Sequence, residues 1–262
     1  MKNGNREKLQ IIKIGGALID DEAKLTKALK AFAAINGKKI LIHGGGKLAT
    51  EISGKLGIKS KMYHGRRITT RDELVVVTMV YAGLINKQIV ARLQALGCNA
   101  LGLTGADANV IECDKRPVGE IDYGFAGDIR KVNHKEIELL MNNGRAPVFC
   151  AITHNLKGQL LNTNADTIAS EVAIALSEQY CTELVFCFDK PGVLMDINHP
   201  DSVIPSINQH QFQQLKEEKI IHAGMLPKLE KGFDALRQGV SKVIIGDINA
   251  ISKKSTLSTI LI

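Results

Sequence analysis

The stretch Lys39–Leu56, KILIHGGGKLATEISGKL, decides the fold. It opens on a short β-branched and apolar run, Lys39–His43, passes through three consecutive glycines, and continues over Lys47–Leu56 as a helical pattern. Strand, glycine turn and helix in direct succession make one step of an α/β unit. A strand that is apolar at nearly every position belongs in a sheet covered on both faces.

The same step recurs on either side. Leu9–Ile14, Ala100–Thr104, Pro147–Ile152, Glu183–Phe188 and Lys242–Ile245 read as further strands. Glu22–Ile35, Asp72–Leu96, Lys135–Asn142, Asp166–Ser177 and Pro227–Gln238 read as further helices. In Asp166–Ser177 the residues Ile168, Val172 and Leu176 recur at i, i+4 and i+8, a helical stripe. This alternation predicts a mostly parallel sheet with helices on both sides. Asn109–Val132, NVIECDKRPVGEIDYGFAGDIRKV, interrupts it. Its glycines and short β-like runs predict hairpins, either a flap over a ligand or a solvated insertion. A seam between two lobes is expected near Ser177–Thr182, where the strand of the second half begins.

Composition bounds the function. The chain has 262 residues, 45% hydrophobic and 23% charged, as in a soluble globular protein. Aromatics are 4% and Trp is absent, which speaks against a base-stacking single-strand binder. The net charge of +7 suits nucleic acid, an acidic membrane or small anions. Its longest basic runs are pairs such as Arg66-Arg67 and Lys253-Lys254, unlike a polyanion-binding patch. The five cysteines, at 98, 113, 150, 181 and 187, are odd in number and lack CxxC spacing. That fits a reducing compartment with neither a disulfide framework nor a zinc site. The opening MKNGNREKLQ carries no apolar signal core. The charge-free segment Leu74–Asn86 falls short of the roughly 20 residues that span a bilayer. A cytoplasmic protein is expected. That uncharged segment predicts a helix buried on all sides, either part against the sheet and part against a second copy of the chain, or wholly as a central core helix.

Two glycine loops end the first two strands: Lys13-Ile14-Gly15-Gly16 and His43-Gly44-Gly45-Gly46-Lys47. Glycines at strand-to-helix turns let backbone N–H groups approach an anion, and the following helix adds the positive end of its dipole. At the carboxyl ends of neighbouring strands such loops form one concave anion site. The P-loop pattern GxxxxGK[ST] is absent. Gly44–Ala49 fits GxGxxA, yet the place for a ribose-binding acid reads HGRRITTRDE, which sets the dinucleotide reading aside. Lys13 stands in an otherwise apolar strand, and lysines are rarely buried without a partner. Lys228 follows Pro227 at a helix start, where positive charge is mildly unfavourable. Asn162-Thr163-Asn164-Ala165-Asp166 offers more amide and carboxylate than one helix cap needs.

Together these elements resemble the amino acid kinase family. In chain order they are IIKIGG (11–16), LIHGGG (41–46), HGRRIT (64–69), LTGADA (103–108), LLNTNADTIA (160–169), DKPGVL (189–194) and GMLPK (224–228). The resemblance implies an αβα sandwich around an eight-stranded, mostly parallel sheet. It implies ATP-dependent phosphorylation of the γ-carboxylate of N-acetyl-L-glutamate, a step of arginine biosynthesis. N-succinyl-L-glutamate is the alternative acceptor, and an aspartokinase or glutamate 5-kinase type of reaction is the remoter one. By motif position Lys13 and Lys228 would stabilise the transition state and Asp166 would organise them. Gly45, Gly46, Arg67 and Asn162 would hold the acceptor, with Arg67 rather than Arg66 on the α-carboxylate. Gly15, Gly16, Asp189, Gly192, Leu194 and Met225 would hold the nucleotide. Mg²⁺ would be carried by phosphates and water, with no protein metal ligand. The implied lobes are residues 1–178 for the acyl amino acid, with a dimer helix over 72–96 and the flap over 109–132, and residues 179–262 for ATP.

Three stretches depart from the family pattern. Lys190 and Pro191 stand in the nucleotide loop FDKPGVL, the tail STLSTILI lacks a Gly-Thr before its last strand, and only about eight residues precede the first strand. The last point implies an arginine-insensitive homodimer without the N-terminal helix that links dimers into hexamers. Partners are therefore small molecules and a second copy of the chain, with neither nucleic acid nor membrane.

Overall fold

Ile11, Ile12 and Ile14 are all fully shielded from solvent. Successive side chains of a strand point to opposite faces, so the first strand, Lys8–Ile14, is covered on both. It belongs to an eight-stranded sheet in a computed structural model that describes residues 6–63, 65–221, 224–252 and 257–262. The strand order is Ser206–Ile207, Thr259–Leu261, Lys242–Gly246, Cys181–Cys187, Lys8–Ile14, Lys38–His43, Ala146–Phe149, Ala100–Leu103. Thr259–Leu261 runs antiparallel to Lys242–Gly246, whereas the other pairings described are parallel. The α/β class and the mostly parallel sheet are as the sequence pattern predicts, and its eight strands are as the resemblance implies. The opening MKNGN, His64 and the pair Lys253-Lys254 lie outside the described residues.

The chain forms two compact units, Met1–Ile40 with Ala169–Ile262, and Leu41–Ile168. The first forty residues group with the C-terminal part because the first strand pairs along its length with Cys181–Cys187, from Lys8 opposite Cys181 to Ile14 opposite Cys187. In the first unit, Glu22–Ala33 is capped by Asp21, whose carboxylate accepts the Lys24 N–H at 3.0 Å. Gln209–Glu217 opens with a reciprocal capping box between Asn208 and Gln211. Sequence reading passed over this helix, although Asn-x-x-Gln was its signal.

In the second unit, Asn109–Val132 does form a hairpin. Ile111–Lys115 pairs antiparallel with Gly127–Val132, with an irregularity between Glu112 and Cys113. These strands join Ile152–His154 and Leu160–Asn162 in a four-stranded sheet. The expected helix over 72–96 forms as Arg71–Val77, Thr78–Ile85 and Asn86–Ala95. Its middle part is π-helical, one residue wider per hydrogen-bonded step than an α-helix. Val76, Val77, Val80, Tyr81, Ile85, Ile89 and Leu93 are buried, whereas Val75, Met79 and Leu84 are exposed.

Candidate active site

In the second unit the candidate residues gather around Gly44–Gly46. The strand Lys38–His43 delivers the loop, and the helix Gly46–Lys55 leaves it. Gly45 has φ +150°, in the range that favours glycine, and a Cβ there would lie 2.2 Å from Ile85 Cδ1 and 3.2 Å from Tyr81 Cδ1. The widened π turn therefore presses directly on the loop. Burial pushes the Tyr81 hydroxyl above its ordinary pKa.

Arg67 lies on the strand Arg66–Ile68 and is buried behind the same loop. One terminal nitrogen donates to Glu73 Oε2 at 2.6 Å and to Ser60 Oγ at 2.8 Å. The other donates to the Gly46 carbonyl at 2.8 Å and to Thr50 Oγ1 at 2.6 Å. The Arg67 and Glu73 side chains are 4% and 1% exposed, so the ion pair is withdrawn from water. The resemblance implies Arg67 as a carboxylate anchor, and here its guanidinium grips the loop. To receive a substrate carboxylate it must share or release one of these oxygens. Glu73, Ser60 and Thr50 were missed: Glu73 reads in sequence as a first-turn acid behind the Thr70 cap, whose hydroxyl accepts the Glu73 N–H at 3.2 Å.

Asn162 lies in the same unit, its amide donating to Thr69 Oγ1 at 2.9 Å and its N–H to the Phe125 carbonyl at 2.9 Å. Asn164 caps the next helix, Ala165–Leu176, by accepting from the N–H groups of Asp166 at 2.9 Å and Thr167 at 3.1 Å. Asp166, on the first turn of that helix, is buried.

His43 is fully buried at the start of the loop. Burial lowers its pKa from 6.5 to about 4, against the raising influence of the Gly44 carbonyl and with a smaller lowering by Lys87. The unfolded chain therefore binds more protons at this ring between those two values, and stability falls as pH drops through that window. The full effect is on the order of 3 kcal/mol. Urea unfolding midpoints at pH 7 and pH 5 should differ in the wild type, and the difference should shrink in His43→Asn.

The first unit places Lys13 on the strand Lys8–Ile14, opposite Phe186 and 8% exposed. The Gly15 N–H donates to the Cys187 carbonyl at 2.8 Å and so belongs to the sheet, whereas a Cβ on Gly16 would meet nothing within 4 Å. Burial pushes the neighbouring Cys187 thiol up to about 12, which makes it inert near neutral pH. A cavity of about 250 Å³ is lined by Gly192, Leu194 and Met225, three of the residues assigned to the nucleotide by resemblance, and by Lys228. Phe188, Ile197, Ile220 and Ile221 also line it and went unread in the sequence, where Ile220-Ile221 just before the GMLPK motif was the available signal. Lys190, one of the departures, lines it too. Asp189 is exposed and lies outside this lining. The helix Leu226–Arg237 begins with Pro227 in its first turn, and Lys228 Nζ donates back to the Gly224 carbonyl at 3.3 Å.

An apolar slot edged by lysines, a lysine buried in a strand, and a glycine loop with pinned backbone are the equipment of a phosphoryl-transfer protein. The chain belongs to the amino acid kinase family, whose model matches residues 8–247. It is 54% identical to an acetylglutamate kinase of Bacteroides fragilis over 251 residues, 96% of each chain. With an acetylglutamate kinase of Cytophaga hutchinsonii it shares 50% identity over 261 residues, 98% of this chain and 99% of that one. Among solved structures it resembles smu.665 from Streptococcus mutans UA159, with a TM-score of 0.78 and 28% identity over 91% of this chain and 94% of the other.

Proposed function

We propose that this protein transfers the γ-phosphoryl group of ATP to the γ-carboxylate of N-acetyl-L-glutamate, giving the acyl phosphate used in arginine biosynthesis. The observation that carries this reading is the 50–54% identity to acetylglutamate kinases over nearly the whole chain. The chemistry supports it. A glutamate-like γ-carboxylate has a pKa near about 4.3 and is already ionised at pH 7, so the acceptor needs no general base. What it needs is relief of repulsion between two anions, together with in-line positioning. In this proposal Lys13 and Lys228 neutralise the transferring and leaving oxygens, with Asp166 as the organising acid. Gly45, Gly46, Arg67 and Asn162 hold the acyl amino acid. Gly16, Gly192, Leu194 and Met225 take the nucleotide, with Gly15 setting the turn and Asp189 at its rim. The cavity lining includes Lys190 and Lys228, which suits a polyphosphate, and Mg²⁺ would be carried by the phosphates and water. When bound, Mg²⁺ supplies charge neutralisation on the β and γ phosphates.

The test is ADP release with N-acetyl-L-glutamate, N-succinyl-L-glutamate, glutamate and aspartate, with hydroxylamine trapping of the acyl phosphate. The highest kcat/KM should fall on N-acetyl-L-glutamate. Faster turnover of a free amino acid would overturn the assignment.

We also propose a cytoplasmic homodimer. The helical segment Arg71–Ala95 has 25 residues and is apolar enough to cross a membrane by length and composition. Its buried face and its exposed Val75, Met79 and Leu84 suit a core helix that covers its outer stripe with a second copy. Met79→Glu should convert the dimer to monomer in sedimentation velocity. A wild type that sediments as a monomer at micromolar concentration would end this part of the proposal.

A further inference from the structure

We propose that His43 and Asn86 are positioning residues for the acceptor. They hold the Gly44 carbonyl so that the Gly45 N–H group is presented to the substrate carboxylate. The proposal rests on reading the glycine loop as the acceptor cradle.

The argument begins with the ring. His43 Nδ1 lies 2.8 Å from the Gly44 carbonyl, and Nε2 lies 3.0 Å from Asn86 Nδ2. A carbonyl only accepts, so Nδ1 carries the proton. Asn86 Nδ2 also donates to the Val148 carbonyl at 3.0 Å, which fixes the amide with its donors toward both Val148 and the ring. Nε2 is then an acceptor, and the ring is the neutral Nδ1–H tautomer. The lowered pKa keeps it neutral near neutral pH, so the arrangement does not loosen there. Both side chains are essentially shielded from water, His43 at 0% and Asn86 at 1% exposure.

The consequence lies in the backbone. A peptide is planar and trans, so its C=O and N–H point opposite ways. Three successive carbonyls of the loop are held. His43 holds Gly44, the Ala49 N–H holds Gly45 at 3.1 Å, and Arg67 with the Thr50 hydroxyl, each at 2.8 Å, holds Gly46. The directions of the Gly45, Gly46 and Lys47 N–H groups are thereby set before substrate arrives. Donors fixed in advance stabilise an anion without reorganising. The fold also makes room for the device: a Cβ on Gly102 would lie 1.9 Å from Asn86 Oδ1, so that glycine admits the amide.

The experiment uses the full-length protein. Long-range ¹H–¹⁵N correlation of the histidine rings should show one ring as the Nδ1–H tautomer, unchanged from pH 7 down to about pH 5. An Nε2–H tautomer, or titration near pH 6.5, would overturn the proposal. His43→Leu removes both contacts and should lower kcat/KM for N-acetyl-L-glutamate by about 10–100-fold, while KM for ATP stays near wild type. His43→Asn puts an amide nitrogen close to where Nδ1 sits and should recover most of the loss. Gly102→Ala, which displaces Asn86, should reproduce the acceptor defect. A folded His43→Leu enzyme with wild-type kcat/KM, or an asparagine variant no better than leucine, would refute the positioning role. If His43→Leu fails to fold, the asparagine variant and the ring spectrum of the wild type still decide. Failure of the wild type to phosphorylate any acyl-glutamate would sink the functional reading instead, and the ring spectrum would stand apart from it.

Discussion

Lys13→Ala should lower kcat by about 10²–10³-fold, the usual cost of removing one preorganised group that faces developing charge. KM for N-acetyl-L-glutamate and for ATP should move much less, because the lysine is assigned to oxygens whose charge shifts during transfer. The same substitution should leave the fold intact. Lys13 is 8% exposed on a strand where Ile12 and Ile14 are fully buried, and a buried ammonium is costly to desolvate. Thermal melts should show the variant still folded while its activity falls. Lys228→Ala, at the helix start Leu226–Arg237, should show a similar kinetic loss. Steady-state kinetics with thermal melts on the same preparations checks both. Near-wild-type kcat in either variant would remove that lysine from the chemistry.

Glu73→Ala should destabilise the protein by about 3–5 kcal/mol, because it strands the Arg67 guanidinium without its buried partner. The Ser60 hydroxyl, which donates to Glu73, loses its acceptor as well. Arg67 also holds the Gly46 carbonyl, so the loss should reach the glycine loop and raise KM for the acceptor. Glu73→Gln keeps an acceptor oxygen without the charge and should fall between alanine and wild type. Chemical denaturation gives the stability change, and an alanine variant within about 1 kcal/mol of wild type would show that the pair contributes little.

Much of this architecture was legible because it is local. Strand runs such as Lys38–His43, the glycine breaks and the helical stripe of Ala165–Leu176 are periodicities within a dozen residues, and they formed within a residue or two of expectation. The hairpin at Asn109–Val132 was readable from its glycines. What stayed hidden depends on distant partners. The two-residue strand Ser206–Ile207 gains its identity only by pairing with Thr259–Leu261. The grouping of the first forty residues with the C-terminal part comes from strand pairing across more than 160 positions. The glycine loop was found, yet the residues that hold it were not. Arg67 looks in sequence like a hand extended to substrate, and only the folded chain shows Glu73, Ser60, Thr50 and the Gly46 carbonyl around it. His43 read as the last residue of a strand, since nothing local announces that Asn86 will reach its ring.

The π-helical stretch Thr78–Ile85 bears on how the gene could change in length. In an α-helix, deleting one residue turns everything beyond it by about 100°. A deletion within Arg71–Val77 or Asn86–Ala95 would therefore swing one end of the helix out of register with the other, parting Glu73 from Arg67 or Asn86 from His43. The π stretch already contains a surplus residue in its turn. A single deletion there can be absorbed by tightening to α geometry, with both flanking faces left where they are. What disappears is the widened turn that brings Tyr81 and Ile85 against Gly45. Single-codon losses should thus be survivable at this point of the helix and damaging on either side of it.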